Sequence, residues 1–325
     1  MQRPKVSVAL ATYNGARYIR EQLESFARQT VLPDEVVVGD DASSDETIAV
    51  IEEFARQAPF EVRVQRNPEN YGYTRNFCET IQRCTGDIIF LSDQDDLWFP
   101  EKVARCVEAL GQPGALLVTH DARLADGALN PSEHTLFSQL RAVGSNDPDA
   151  LNYGCCIAFK KYLAEFVSPP PYHFHDVWLA VVAMQMGGRV SIAEPLILYR
   201  RHGSNASSSH ITSLKKTHPA LAYLDRLQVA RREGGAKSVA DSLSWTANLL
   251  EVFQRNRRGV IALIGESRFL DIIAKLRDEK ERLSERRQIH SGSRYLRPLR
   301  VARFALAGGY RRNSTVFSLL RDLLG

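Results

Sequence analysis

No G-x-G-x-x-G follows the first apolar run of this 325-residue chain, and no G-x-x-x-x-G-K-[ST] occurs anywhere in it. The usual dinucleotide and phosphate-loop fingerprints are thereby absent, and a nucleotide held here would need its diphosphate charge met by a cation. Cysteine is scarce: Cys78, Cys84, Cys106, Cys155 and Cys156 form no CxxC pair. The opening MQRPKVSVALATYN has too short an apolar run for a secretory leader, so reduced thiols in a cytoplasmic protein are expected. No stretch approaches the roughly eighteen apolar residues of a membrane span.

What is present is an ordinary globular composition, 44% apolar and 25% charged, in a chain long enough for two domains or one domain with an extension. The net charge of +4 conceals a division. Residues 255–325 hold 17 Lys and Arg against 7 Asp and Glu, which leaves 25 against 31 for residues 1–254. An acidic body and a basic tail face different partners. Nucleic acid is suggested by the tail alone, and the acidic body speaks against it.

Strands and helices alternate from the start. Val6–Ala11 is almost wholly apolar, as a central strand of a parallel sheet would be, and Thr12, Tyr13 and Asn14 end it. Residues 16–28 repeat apolar positions at helical spacing, Glu35–Val38 reads as a second strand, and Asp40 and Asp41 follow it. A helix capped by Ser44 or Asp45, a third strand over Glu61–Gln65 and a helix over residues 74–84 continue the alternation. Such a pattern predicts an α/β fold with a mostly parallel, Rossmann-like sheet flanked by helices and right-handed crossovers.

The chain is organised around GDIIFLSDQDDLWFP, residues 86–100. An apolar run, Ile88–Leu91, is followed at once by Asp93, Asp95 and Asp96. Like charges so crowded are costly unless a divalent cation or a set of donors meets them, and carboxylate oxygens suit a hard cation such as Mg2+ or Mn2+. Leu97, Trp98, Phe99 and Pro100 suggest a loop anchored by packing rather than a solvated acidic turn. The polar clusters at Tyr13/Asn14, Asp40/Asp41 and Asp93/Asp95/Asp96 all fall at strand carboxyl ends, the edge at which open α/β sheets bind ligands.

Beyond a helix over Glu101–Leu110 and a strand over Ala115–Thr119, residues 130–150 read as polar loop. Tyr153–Phe159 reads as a core strand, or as backbone passing close to a ligand at Gly154. Three prolines then lead into His175 and Asp176, placed just before an apolar helix over Val177–Met186. Asp176 can be read as the cap of that helix or as a general base within reach of a substrate hydroxyl. A further strand ends in Arg200, Arg201, His202 and Asn205, suited to phosphate or to a metal's remaining position, or else a solvated basic turn.

Taken in order, VSVALATYN, VVVGDDASSDET, RNPENYGYTRNF, FLSDQDD, FHDVWLA and EPLILYRRHGSN resemble the family 2 glycosyltransferases of the nucleotide-sugar, GT-A type, over residues 6 to about 205. The FLSDQDD form with HDVW and LYRRHGSN is similar to the branch of bacterial rhamnosyl- and galactosyltransferases of surface-polysaccharide assembly, O-antigen included. The resemblance implies a GT-A domain with a nucleotide-sugar-binding half over 1–110, an acceptor-binding half over 111–210, and a helical basic C-terminal extension over 211–325. It implies that Thr12, Tyr13 and Asn14 line the nucleotide pocket, that Asp41 bonds the base with Asp40 beside it, and that Arg66 and Arg75 lie near the phosphates. Asp93 and Asp95 match the family's D-x-D. Asp95 would be the direct ligand of Mn2+ or Mg2+, Asp93 would stand nearer the ribose or sugar, and His202 would complete the metal shell. Asp176 matches the family's base, with His175 standing where many members carry an acid; His175, Trp178, Gly154 and Arg200 are the other acceptor-side candidates.

The implied reaction is metal-dependent, inverting transfer of rhamnose or a hexose from a dTDP- or UDP-linked donor to a glycan or lipid-linked acceptor. A non-catalytic sugar-nucleotide or carbohydrate-binding module on the same fold is the alternative, against which Asp93, Asp95 and Asp176 argue. A nucleotidyltransferase would want a glycine-rich, lysine-bearing loop that the chain lacks.

From Ser213 the pattern is helical. Leu243, Trp245, Leu249, Leu250 and Phe253 form one candidate face, and Ile261, Leu263, Ile264, Phe269, Ile272, Ile273 and Leu276 another. RDEKERLSERRQ reads as a solvated face. RYLRPLRVARFALAGGYRR alternates arginine with large apolar residues, which suits an anionic membrane surface at the inner face of the cytoplasmic membrane. Packing on the catalytic domain and a homodimer contact remain open beside it.

Overall fold

The computed structural model describes residues 3–147, 150–167, 174–203, 212–216, 235–291, 293–310, 318–319 and 322–323. The chain divides into two compact units, residues 1–217 and 218–325.

In the first unit, β1 (Val6–Thr12) lies between β2 (Glu35–Asp40) and β4 (Ile88–Ser92), parallel to both, and β3 (Glu61–Arg66) adds a fourth parallel strand at the edge. β1, β2 and β4 are apolar on successive residues because both of their faces are covered, whereas β3, with only one neighbour, carries Arg63, Gln65 and Arg66. Val6, Val8, Leu10, Val36, Val38, Ile88 and Phe90 share one core with Ile19, Leu23 and Phe26 of α1 (Ile19–Ala27). The other crossovers are α2 (Thr47–Ala55) and α3 (Tyr73–Arg83), so the predicted β/α start is present.

Past β4 the sheet changes character. β5 (Leu97–Trp98), α4 (Lys102–Leu110), β6 (Leu117–Ala125), β8 (Ile157–Lys160) and β9 (Arg189–Arg200) extend it to the order β3-β2-β1-β4-β8-β6-β9-β5. β8 runs antiparallel to both β4 and β6, β5 runs antiparallel to β9, and β6 with β9 is parallel. The sheet is therefore mixed: β3, β2, β1 and β4 are parallel throughout, and beyond β4 only the β6–β9 pair is. An apolar run records that both faces of a strand are covered, not the direction of its neighbours. Pro195, which has no N–H for a ladder bond, sits where the β6–β9 register slips at Asp121.

Residues 130–150 do not form the loop their polarity suggested. β7 (Pro131–Thr135) pairs with β6, and α5 (Leu136–Ala142) begins at Thr135, whose side chain accepts from Ser138 N–H while the Ser138 hydroxyl returns the bond to the Thr135 backbone N–H. Tyr153–Phe159 splits into a 3-10 turn over Gly154–Cys156 and β8. His175 and Asp176 lie within the first turn of α6 (His175–Gln185), with Phe174 at the cap position, rather than ahead of the helix. The run Pro169–Pro171 and Asn205 lie outside the described residues.

Gly86 marks a close approach. A Cβ there would lie 2.7 Å from the Ser7 nitrogen and 2.9 Å from the Lys5 oxygen, backbone atoms held in the sheet. Gly86→Ala is expected to cost about 1–3 kcal/mol by overpacking. A urea midpoint equal to that of the parent would show that the turn yields.

The second unit is helical: α7 (Gly235–Arg255), α8 (Arg257–Ile264), α9 (Glu266–Ile289) and α10 (Arg297–Leu306). Leu249 and Phe253 are buried on α7, and Phe269, Ile272, Ile273 and Leu276 on α9, as their spacing predicts. Leu263 departs from its expected face and is exposed. Within RDEKERLSERRQ, Leu283 and Arg286 turn inward, Arg286 bonding Asp322 at 2.6 and 2.9 Å, so that run is not a wholly solvated face.

Candidate active site

The ends of β1 and β2 are tied by side chains. Asp40, fully buried, accepts from the Thr12 hydroxyl at 2.8 Å and from Ser43 N–H and Oγ at 2.9 and 2.5 Å. Asn14, at φ +48°, donates its N–H to Ser43 Oγ and accepts Ser44 N–H, fastening the turn after β1 to the turn after β2. Asp41 is also buried. Its carboxylate takes Asn67 Nδ2 at 2.9 Å, Tyr71 N–H at 2.8 Å and Gly72 N–H at 2.9 Å, and so shapes the 67–72 connection. Tyr13 is exposed, its backbone bracketed by both ends of the Gln94 amide at 2.9 and 3.0 Å. Arg66, with its Nη2 on the Ser43 carbonyl, and Arg75, whose guanidinium lies 3.7 Å from the Tyr71 ring centre, stand exposed at the rim.

The acidic turn after β4 is held from below. Trp98 is buried edge-on against Phe26 and pairs through β5 with β9, which is the packing anchor its sequence suggested. Arg200, at the end of β9, is only 3% exposed. It donates Nε to the Asp95 carbonyl at 2.7 Å and Nη1 to the Gly127 carbonyl at 2.9 Å, pairs with Glu21, and lies over the Tyr18 ring. Its backbone N–H bonds Asp96 Oδ1 at 3.0 Å. Arg200 thus props the turn from behind. His202 stacks on Tyr18 and places Nε2 2.8 Å from Asp95 Oδ2.

Asp93 is partly exposed. Burial, then the charges of Asp95 and Asp176, push its carboxyl up to about 7. Asp96 is buried with Oδ2 unpartnered, and burial followed by Asp95 and Asp93 raises it well above the carboxylate range. Oxygens of Asp93 and Asp96 lie within 4.8 Å of each other and of the Cys155 sulfur. A hydrogen bond with Cys156 and then burial raise the Cys155 thiol well above its ordinary range, which leaves the carboxylate oxygens as the favoured donors. Beneath them Lys102 is fully buried, donating to the Cys155 carbonyl at 2.7 Å and lying 3.7 Å over the Trp98 ring. A crowded oxygen set with an orphaned buried oxygen and an adjacent imidazole fits a hard divalent cation.

Across the cleft, Asp176 is set by the start of α6. Its Oδ2 accepts Gly154 N–H at 3.0 Å and its Oδ1 accepts Val177 N–H at 2.8 Å. Burial outweighs these bonds and lifts the carboxyl to about 6. A Cβ at Gly154 would meet His175 Nε2 at 3.4 Å and Asp176 Cβ at 3.6 Å, ordinary van der Waals contact, so the turn lies directly against both residues without requiring glycine for space. His175 is buried and stacked on Phe77 at 4.2 Å with both ring nitrogens unpartnered; burial drops it to about 3, so the ring is neutral. Trp178 is a core residue, its indole N–H bonded to the Phe166 carbonyl.

Asp96, Lys102, Gln94 and Glu21 carry contacts that no site assignment anticipated. Lys102 had a signal: it shares a helix face with buried Cys106 and Ala109, where a lysine is out of place. Asp96 was legible as the third acid of the turn, though not its bond to Arg200; Gln94 and Glu21 had no signal, because their partners are distant in sequence.

A mixed sheet with acids gathered at its strand ends, facing a carboxylate of raised pKa, defines a protein of the GT-A nucleotide-sugar fold. The family described as Glycosyl transferase family 2 matches residues 7–167. An uncharacterized glycosyltransferase of Nostoc sp. is 32% identical over 225 residues, covering 66% of this chain and 69% of its own. The chain belongs to glycosyl transferase family 2. The dTDP-rhamnosyl transferase RfbG of Shigella flexneri is 26% identical over 218 residues, covering 62% of this chain and 75% of its own. The crystal structure of Staphylococcus aureus TarS 1-349 with UDP-GlcNAc superposes with a TM-score of 0.52 at 17% identity, over 94% of this chain and 89% of that one. The chain spans 63% of the length of the Mycobacterium tuberculosis and Mycobacterium bovis relatives it matches.

Proposed function

We propose that this protein is a metal-dependent inverting glycosyltransferase that moves rhamnose or a hexose from a nucleoside-diphosphate donor to a hydroxyl of a glycan or lipid-linked acceptor in surface-polysaccharide assembly. The observation that carries the reading is the placement of Asp176. Its carboxylate is fixed by two backbone N–H groups, is poised near 6 by burial, and lies close enough to Asp93 for the two charges to interact. A base so placed takes the proton of an acceptor hydroxyl as that oxygen bonds the anomeric carbon. The bond from that carbon to the diphosphate breaks on the opposite side, and configuration inverts.

Asp93, Asp95 and His202, with Asp96 behind them, are the residues that would hold Mn2+ or Mg2+. When bound, such an ion supplies charge neutralisation for the departing diphosphate. Thr12, Tyr13, Asn14, Arg66 and Arg75 border the nucleotide side, with Asp40 and Asp41 shaping it through the turns they hold. The name of the Shigella relative favours dTDP-rhamnose as donor.

Purified protein incubated with dTDP-rhamnose, UDP-galactose, UDP-glucose or GDP-mannose and Mn2+ or Mg2+ is expected to release nucleoside diphosphate from one donor well above the others. Chelation should bring release to background, and the returned ion should restore it. Release indifferent to chelation would remove the cation from the reading; silence with every donor and a glycan-lipid extract would favour a binding module instead.

A further inference from the structure

We infer that α10 and the turn before it form a surface that lies on an anionic lipid bilayer. The inference goes beyond the proposed chemistry and does not depend on it. Residues 286–321 contain no Asp or Glu, and Arg294, Arg297, Arg300, Arg303, Arg311 and Arg312 fall within that acid-free stretch. Such a density of one charge, far from any compensating acid in sequence, is complementary to phosphate headgroups.

The helix is apolar on two opposite sides. Val301 and Phe304, three residues apart, are buried with Ile289 of α9, and Phe304 meets Tyr310 edge-on at 5.0 Å. That side accounts for the packing of α10 within its own unit. Leu299 and Leu306 lie on the other side, seven residues and two turns apart, with Ala302 between them, and are 68% and 88% exposed. Tyr295, at 78%, extends the same side into the preceding 3-10 turn over Arg294–Leu296, and Arg303 flanks it. Scattered single apolar residues on a surface need no explanation, but leucines and a tyrosine aligned on one helix side and edged by arginine do.

Composition and charge favour a lipid surface over a protein partner. Leucine and tyrosine beside arginine is the composition that inserts at the headgroup boundary, with the rings and leucines below the arginines. A second copy of this chain would bring a basic, acid-free stretch against its own like and repel it.

The test is sedimentation of the full chain with vesicles of phosphatidylglycerol and, separately, of phosphatidylcholine, at low and high salt. The parent is expected to sediment with phosphatidylglycerol, to leave it as salt screens the arginines, and to stay in solution with phosphatidylcholine. Leu299→Glu with Leu306→Glu, both at exposed positions, should lower the bound fraction at least about tenfold with an unchanged thermal melt. Arg303→Gln, at an exposed position beside the leucines, should weaken binding and flatten its salt dependence. Equal binding of parent and leucine variant, equal binding to both lipids, or an equilibrium-sedimentation dimer dispersed by Leu299→Glu without any vesicle binding would each overturn the inference.

Discussion

Asp176→Asn is expected to lower sugar transfer by roughly a hundred- to ten-thousand-fold, the span associated with loss of a general base, while donor affinity stays within about twofold. The substitution keeps the size of the side chain and removes its ability to take a proton. Donor affinity is preserved because Asp176 reaches Gly154 and Val177, not the turns after β1 and β2. Isothermal titration with the nucleotide separates the two quantities. Comparable turnover by the variant would take Asp176 out of the mechanism.

The pH profile is the companion measurement. Burial raises the Asp176 carboxyl from 3.8 to about 6, so the ionised base is lost as pH falls through 6. The parent should therefore lose about tenfold in rate per unit below that value and level off above it. Asp93, raised to about 7 and interacting with Asp95 and Asp176, makes the acid limb a property of the group rather than of one residue. The same shift bears on stability. The folded state holds a proton on Asp176 more tightly than the unfolded chain does, so stability falls as pH rises from about 4 to about 6. The Asn variant does not share that fall, and its melt should gain on the parent's across that window.

Arg200→Ala should be the most destabilising change at the site. The side chain is 3% exposed, and its loss strips partners from the carbonyls of Asp95 and Gly127 and from Glu21. Glu21 is half exposed, so the cost lies chiefly in the two carbonyls left without their buried donor, about 1–3 kcal/mol, and in a unit of this size that is a fall in Tm of roughly 2–12 °C. Activity should fall further than stability explains, because the freed turn no longer holds Asp95 against His202. Arg200→Lys should restore little, since one ammonium cannot reach both carbonyls as the forked guanidinium does. If the melt is unchanged and only nucleotide affinity drops, Arg200 is a phosphate ligand, as its place in LYRRHGSN first suggested.

Arg200 illustrates where reading the sequence stops. A basic cluster at a strand end looks the same whether its guanidinium faces a ligand or the protein, and only the neighbours Glu21, Asp95 and Gly127 distinguish them. Trp178 is a similar case. HDVW marks the start of a helix and an apolar side, but that the indole turns toward Phe166 depends on a 3-10 turn (Lys161–Val167) the pattern did not reveal. For Asp176, cap and base were equally legible. The structure has Phe174 at the cap position and the carboxylate bonded to Gly154 of a separate turn.

By itself the sequence determined the β/α alternation, the three covered strands β1, β2 and β4, and the gathering of Asp40, Asp41, Asp93, Asp95 and Asp96 at strand ends. These follow from periodicity and from which residues end an apolar run, both local properties. Tertiary structure alone decided the antiparallel turn of the sheet at β8, the inward guanidinium of Arg200, the use of Asp41 to hold residues 67–72, and the raised carboxyls of Asp93 and Asp176. Periodicity reports that a face is covered, but not by what. Desolvation and hydrogen-bond partners come from residues tens to more than a hundred positions away, and they exist only once the chain has closed around them.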